Sequence, residues 1–153
     1  MIVRPHSVLL DAEALSALAR EARSMQAWAT FAKRSDSILY ASALTLVEVT
    51  DGTARDAAVR RAVEAVRLVE VSPEIGHRAG ELRAAVGATR RKHRYLAVGA
   101  VVAATALTLP SPVVVLTSDP ADLGLLLAGH DIRVEAIGDG IRHERSPSRS
   151  CSD

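Results

Sequence analysis

The sequence predicts an α/β fold, an α/β/α sandwich in which a mostly parallel five-stranded sheet is covered by helices on both faces. Short apolar segments alternate with segments of helical periodicity, and this alternation is typical of crossover units that build a parallel sheet. The length of 153 residues fits the ~100–200 residues of one domain. Hydrophobic residues make up 48% of the chain, which is enough to bury one core and excludes a wholly disordered chain.

Five apolar runs are predicted to be strands. They are residues 7–10, 37–40, 67–71, 113–116 and 132–137. The fourth run is the clearest, because three valines and a leucine follow a Ser-Pro pair. The third run alternates apolar and charged residues, as a half-buried strand does.

The segments between these runs are predicted to be helices. Two of them have apolar residues at helical spacing, at Ala14, Leu15, Leu18, Ala22 and Met25 and at Ala58, Ala62, Val63 and Val66. Ser72 and Pro73 resemble an N-cap followed by proline at the first helical position, in a helix that reaches about Val86. Residues 97–109 are apolar on nearly every side, as expected of a helix packed between other elements.

The domain is expected to span residues 1–140, and the polar, Ser-rich residues 141–153 are expected to form a disordered tail. The apolar stretch near the N-terminus is too short for a signal peptide. The apolar run between Tyr95 and Pro110 is shorter than the ~20 residues that span a bilayer. The single cysteine, Cys151, excludes a disulfide framework within the chain. We therefore expect a cytoplasmic protein with no membrane partner.

The charge balance restricts how the chain could bind nucleic acid. Lys and Arg number 19 and Asp and Glu 18, so the net charge is +1 and a uniformly basic binding surface is excluded. Aromatic residues are only 3% of the chain, which argues against a base-stacking surface. One run is strongly basic, and its cations are Arg90, Arg91, Lys92 and Arg94. It is either a solvated loop or helix end, or an arm that grips RNA phosphates.

Two aspartates follow predicted strands. Asp11 ends the first strand, and Asp119 follows the fourth strand through Thr117 and Ser118. If these strands are neighbours at a switch point of the sheet, both carboxylates face one crevice. The alternative is that Asp11 and Asp119 are only helix N-caps, since Asp119 precedes Pro120. The hydroxyls of Thr117 and Ser118 either support a carboxylate or phosphate, or satisfy backbone groups.

Glu48 is the one carboxylate inside the apolar segment 43–49. On a helix, Leu44, Val47 and Glu48 share a face, so Glu48 is expected to border the buried stripe. A buried carboxylate needs a cation or a hydrogen-bond donor, whereas a glutamate at the edge of the stripe touches solvent. Both interpretations of Glu48 are open.

Carboxylate oxygens from distant segments suit Mg²⁺ or Mn²⁺ better than zinc. Such a site suits phosphodiester hydrolysis, because the metal stabilises charge on the phosphate. Another α/β metal-dependent phosphohydrolase is an alternative, although the haloacid-dehalogenase type would have a second aspartate where Glu13 stands.

Four features, in this order, resemble the PIN-domain family and most of all VapC-type toxins of bacterial toxin–antitoxin pairs. They are the strand and Asp11, the apolar helix with Glu48, the segment 100–106, and the segment 116–123 with Asp119 and Asp122. The resemblance covers residues 7–137. It implies a Mg²⁺- or Mn²⁺-dependent endoribonuclease acting on tRNA or rRNA, usually a homodimer, inhibited by a cognate antitoxin.

The resemblance also implies roles for these residues. Asp11, Glu48 and Asp119 would be catalytic, and Asp11 and Asp119 would bind metal, with Asp122 as an outer or substitute ligand. The basic run at Arg90, Arg91, Lys92 and Arg94 would bind RNA.

One position departs from the family pattern. A metal-binding aspartate normally precedes the first alanine of the segment 100–106, and here that position is Gly99. Glycine in a helix costs about 1 kcal/mol relative to alanine, so helix formation does not favour it. Either Gly99 packs closely against a neighbouring backbone, or the helix begins only at Ala100, or a carboxylate has been lost. We expect weak metal binding and poor RNA cleavage, or alternatively an inactive PIN-fold module that binds RNA or antitoxin.

Overall fold

The computed structural model describes residues 4–87 and 96–138. The strands are β1 (Ser7–Leu10), β2 (Ile38–Ser42), β3 (Arg67–Val69), β4 (Val113–Thr117) and β5 (Ile132–Ala136). The helices are α1 (Ala12–Ala19), α2 (Arg23–Arg34), α3 (Thr45–Val49), α4 (Asp56–Glu64), α5 (Pro73–Gly87), α6 (Ala97–Ala106) and α7 (Pro120–Leu126). All five predicted strands are confirmed. The basic run at 90–94 and the predicted tail at 141–153 lie outside the described residues.

The five strands form one sheet in the order β3-β2-β1-β4-β5. Every pair of neighbours is parallel, so the predicted mostly parallel sheet is parallel throughout. The chain builds outward from β1 through β2 to β3 and then crosses to the other side of β1 to form β4. The switch point of the sheet therefore lies between β1 and β4, which is where α/β sheets hold their ligands.

Helices cover both faces of the sheet. The side chain of Leu9 joins a buried cluster with α5, α6 and α7. Its neighbours Val8 and Leu10 join a second cluster with α1 and α2 on the opposite face. This alternation follows from the two-residue period of a strand. Both faces of β1 are apolar because the strand is central, as expected of a parallel sheet.

The helix predicted around Ala14–Met25 is wrong as a single element. The chain forms α1 and α2 instead, separated by a turn in which Glu21 has a φ of 57°. The Ala22 N–H donates to the Ala17 carbonyl at 2.9 Å within this turn. Met25 nevertheless joins the same buried cluster as Leu15, so the apolar spacing persists across the break.

The two other predicted helix features are confirmed. The Ser72 hydroxyl accepts a hydrogen bond from the Ile75 N–H at 3.2 Å, and Pro73 is the first residue of α5. Helix α6 is buried on several sides, as its apolar sequence predicts. In the part of the chain that the structure describes, no helix is both long and apolar enough to cross a bilayer.

Candidate functional site

A cavity of about 690 Å³ lies beyond the carboxyl ends of β1 and β4, at the switch point of the sheet. The structure brings together on its wall all the predicted site residues that it describes. They are Asp11, Glu48, Thr117, Ser118, Asp119 and Asp122, together with Gly99. Asp11 comes directly after β1, and Asp119 comes two residues after β4. Because β1 and β4 are paired and parallel, their ends deliver both carboxylates to one crevice.

Asp11 is both a helix cap and a residue of the cavity wall. Its Oδ1 accepts a hydrogen bond from the Ala14 N–H at 2.8 Å, which caps α1, and its Oδ2 accepts one from the Ser118 N–H at 3.3 Å. Burial raises the pKa of Asp11, and the nearby charge of Glu13 raises it further. The hydrogen bonds from the Thr117 hydroxyl and from the two N–H groups oppose this rise in pKa without cancelling it.

Asp119 also combines the two roles. Its Oδ1 accepts a hydrogen bond from the Asp122 N–H at 3.3 Å and caps α7. Its own N–H donates to the Thr117 hydroxyl at 3.0 Å. Thr117 is buried, and its hydroxyl links the Asp11 carboxylate to the backbone N–H of Asp119. The capping and the site interpretations are therefore compatible for both carboxylates.

Glu48 lines the cavity but is exposed, so the expectation that it borders a buried stripe is wrong. Val47, predicted to share a buried face with it, is 75% exposed. Helix α3 has only five residues, and its buried residue is Thr45, whose hydroxyl donates to the Ser42 carbonyl at 2.7 Å. Because the Glu48 carboxylate is exposed to water, it does not need a buried cation to offset its charge.

Gly99 has room for a side chain. Helix α6 begins at Ala97, so the idea that the helix starts only at Ala100 is wrong. Among residues 4–87 and 96–138, a Cβ atom at position 99 would meet only the Cδ1 of Leu126, at 3.5 Å, which is ordinary van der Waals contact. Close packing against a neighbouring backbone is therefore wrong as well. Neither local conformation nor packing explains this glycine.

The carboxylates of the cavity are the type of group that binds a divalent metal, but their arrangement does not suit one ion. Carboxylate oxygens are what Mg²⁺ and Mn²⁺ prefer. Among the residues that the structure describes, however, no three His, Cys, Asp or Glu side chains lie close enough together to hold one ion. The carboxylates therefore do not form a complete metal site, and the open position at Gly99 adjoins them.

Sequence analysis missed a second part of the cavity wall, formed by α1 and the start of α4. Ser16 and Arg20 lie there, with Asp51 and Arg55. The spacing of four residues from Ala12 to Ser16 to Arg20 puts these positions on one face of α1, and that signal could have located them. The described wall carries six carboxylates and two guanidinium groups, a formal charge of −4.

Three solved structures share this architecture. VapBC2 from Rickettsia felis bound to a promoter DNA fragment matches with a TM-score of 0.64 at 11% identity, over 85% of this chain and 98% of that one. DNA-bound VapBC from Salmonella typhimurium matches with a TM-score of 0.63 at 13% identity, over 86% and 98%. FitAcB from Neisseria gonorrhoeae matches with a TM-score of 0.58 at 19% identity, over 83% and 95%.

The chain has the PIN-domain fold of VapC-type toxins. The resemblance seen in the sequence is thus confirmed at the level of the fold. No family model matches the sequence, and no curated protein matches it. In this PIN fold, Asp11 and Asp119 lie at the switch point, and Gly99 lies on the wall of the same cavity.

Proposed function

We propose that this chain is the toxin-type endoribonuclease of a VapBC-like pair, and that its metal site is short of one carboxylate. One observation carries the proposal. Asp11 and Asp119 meet in one cavity from adjacent parallel strands, while Gly99 on the cavity wall leaves space for a side chain. Phosphodiester hydrolysis suits such a carboxylate set, because a divalent cation bound there would offset the charge of the phosphate.

Mg²⁺ or Mn²⁺ is the proposed cofactor, and the proposed binding is weak. Asp11, Asp119 and Asp122 are the proposed ligands, and Glu48 is the proposed further catalytic carboxylate. The described wall is acidic, so a bound cation should strengthen RNA binding by offsetting part of this charge. Metal binding and RNA binding are therefore expected to depend on each other. The RNA class, tRNA or rRNA, follows from the resemblance to VapC-type toxins.

The proposal includes a protein partner. The structures from Rickettsia felis and Salmonella typhimurium are VapBC complexes on DNA. By analogy, we propose a cognate antitoxin that covers the acidic cavity of this chain, and a homodimer of the chain itself in the cytoplasm. The basic run at 90–94 stays a prediction as an RNA-gripping segment.

A second candidate function is an inactive module that binds RNA or antitoxin. It is favoured by the finding that no three potential ligands converge among the described residues. The two candidates differ in what a carboxylate at position 99 does. It restores cleavage in an impaired nuclease, and it leaves an inactive binding module without cleavage.

The test compares the wild-type chain with Gly99→Asp and with the matched control Gly80→Asp. Gly80 is an exposed residue of α5 that does not line the cavity, and no atom of the described residues lies within 4 Å of a Cβ added there. Both variants therefore add one negative charge to a helix with room for it. Mn²⁺ affinity is measured by isothermal titration calorimetry, and RNA cleavage is measured on labelled tRNA.

We expect Gly99→Asp to raise Mn²⁺ affinity by about tenfold or more. Removing a residue that only hydrogen-bonds to a metal ligand already lowers metal affinity by about 10–100-fold, so adding a ligand should have an effect at least this large. Metal-dependent cleavage is expected to rise with it, and Gly80→Asp is expected to change neither. If Gly99→Asp changes neither quantity, the nuclease proposal is wrong. Tighter metal binding without any cleavage would favour the binding module.

A further inference from the structure

The two cations of the described cavity wall lie away from Asp11 and Asp119. Asp11 and Asp119 are at the carboxyl ends of the strands, whereas Arg20 follows the end of α1 and Arg55 precedes α4. A polyanion that enters an acidic cavity needs positive charge along its path, because each uncompensated phosphate is repelled. Arg20 and Arg55 are the described residues of the wall that supply it.

Arg20 is held over the cavity face of α1. Its Nη1 donates a hydrogen bond to the Ser16 hydroxyl at 2.9 Å. Side chains on a helix lean toward its N-terminus, so the guanidinium lies over the turn that contains Ser16, toward Asp11. A cation that merely neutralised the end of the helix dipole would instead bind the last carbonyl groups of α1.

Within the described residues, Arg20 forms no salt bridge with a carboxylate. A guanidinium has five N–H donors, and the bond to Ser16 uses one of them. Arg55 differs, since its Nη2 lies 3.5 Å from the Asp51 carboxylate. Arg20 is therefore the better prepared of the two to bind an anion.

The spacing on α1 indicates which phosphate Arg20 can reach. Ser16 lies five residues from Asp11, about 7 Å along the helix axis at the rise of an α-helix. With its guanidinium held at Ser16, Arg20 is offset along α1 from Asp11, so the phosphate that it binds would be a neighbour of the one beside Asp11 and Asp119. We propose that Arg20, oriented by Ser16, is a positioning residue that binds a phosphate flanking the scissile one. This proposal rests on the proposed ribonuclease function.

The test measures RNA binding by the full chain in EDTA, where no metal-dependent cleavage occurs. A fluorescein-labelled single-stranded RNA is titrated by fluorescence anisotropy over a series of salt concentrations. Arg20→Ala is compared with wild type and with the control Arg60→Ala, because Arg60 is exposed on α4 and does not line the cavity. The slope of log affinity against log salt is expected to fall in magnitude by about 0.7 for Arg20→Ala, the value of one phosphate contact on a single strand. The slope for Arg60→Ala is expected to stay at the wild-type value.

Two further measurements separate positioning from charge alone. Ser16→Ala keeps the charge of Arg20 but removes its hydrogen bond, so we expect weaker RNA binding with an unchanged salt slope. RNAs with a single neutral methylphosphonate linkage are then scanned position by position. At the position that Arg20 binds, the neutral linkage and Arg20→Ala are expected to be non-additive, because each removes the same contact. Arg20→Lys should retain the slope and lose affinity, since an ammonium lacks the planar fork of a guanidinium.

Equal salt slopes for Arg20→Ala and Arg60→Ala, or additive effects at every linkage, would overturn the proposal. These results leave the nuclease function in place if Gly99→Asp still gains cleavage. If the wild-type chain binds no RNA and Gly99→Asp cleaves none, both proposals fail together. Thermal melts of each variant confirm that folding is retained, as expected for an exposed arginine.

Discussion

Replacing Gly99 by alanine should stabilise the protein. Glycine within a helix costs about 0.5–1 kcal/mol relative to alanine because it loses more backbone entropy on folding. Of the described residues, the added methyl group meets only Leu126, whose Cδ1 lies 3.5 Å away, so none of them imposes a steric penalty that offsets this gain. We therefore expect the free energy of unfolding to rise by about 0.5–1 kcal/mol, which for a domain of this size raises Tm by about 1–4 °C.

The measurement is urea unfolding followed by far-ultraviolet circular dichroism, in EDTA so that no metal contributes. Gly80→Ala is the control, because Gly80 is helical and a Cβ there meets no atom within 4 Å. If Gly80→Ala stabilises the protein and Gly99→Ala destabilises it, then position 99 requires glycine for packing. The inference that a carboxylate is missing would then be refuted.

Gly99→Asp extends the same series, because it separates the effect of charge from that of the backbone. In EDTA it should be less stable than Gly99→Ala, since the new carboxylate adds to an already negative cavity wall. A metal at 100 times its dissociation constant stabilises the folded state by about 2.7 kcal/mol. Gly99→Asp should therefore overtake Gly99→Ala when Mn²⁺ is added. If the order of the two variants is the same with and without Mn²⁺, position 99 does not contribute a ligand.

Two other carboxylates give predictions that use the same unfolding assay. Burial raises the pKa of Asp11 above 3.8, so the folded state binds more protons than the unfolded state, and stability falls as the pH rises from 3.8 through the raised pKa. Asp11→Asn keeps an oxygen that can cap α1 but does not titrate, so this variant should lose less stability over the same pH range. If the wild-type chain instead gains stability relative to Asp11→Asn as the pH rises through this range, the prediction is wrong. Asp56 is buried and accepts hydrogen bonds from the N–H groups of Asp51 at 3.1 Å and Gly52 at 2.9 Å, so Asp56→Ala should lose about 1–3 kcal/mol. Asp56→Asn, which keeps one acceptor oxygen, is the control and should lose less.

The strands could be predicted because they are short apolar runs in the sequence. Such runs are expected in a parallel sheet, since helices cover both of its faces. The run at Val113–Thr117 is central enough to be buried on both faces, and continuous apolar character is its signature. The break between α1 and α2 could not be predicted, because the chain turns at Glu21 with a positive φ and without a glycine or proline there. Non-glycine residues seldom adopt this conformation, so local propensity gives no signal for it.

The placement of the candidate site residues was predictable where it depends on strand ends and not where it depends on short helices. Asp11 and Asp119 follow strands, so topology alone places them together. The exposure of Glu48 depends on the direction of α3 relative to β2, which the sequence does not give. The i, i+3, i+4 spacing does not identify the buried face of a helix that has only five residues. Ser16 and Arg20 were missed because only their spacing relative to Ala12, and no local motif, links them to the site.

Helix capping and ligand binding are usually opposed as explanations for an aspartate at a helix start, and here one supports the other. A carboxylate has two oxygens with about four acceptor positions, so a single capping bond leaves capacity for other partners. Both oxygens of Asp11 accept N–H groups, whereas Asp119 uses only Oδ1 as an acceptor within residues 4–87 and 96–138. Asp119 is thus the one of the two with more free capacity to bind a metal ion.

The caps also hold these carboxylates in place without a metal. A ligand whose rotamer is already fixed by hydrogen bonds loses little further entropy when it binds an ion. Asp11 and Asp119 have this property because α1 and α7 begin at them. A carboxylate added at position 99 would therefore join two carboxylates that are already positioned. That is why a single substitution should change metal affinity measurably, although no three ligands converge among the described residues at present.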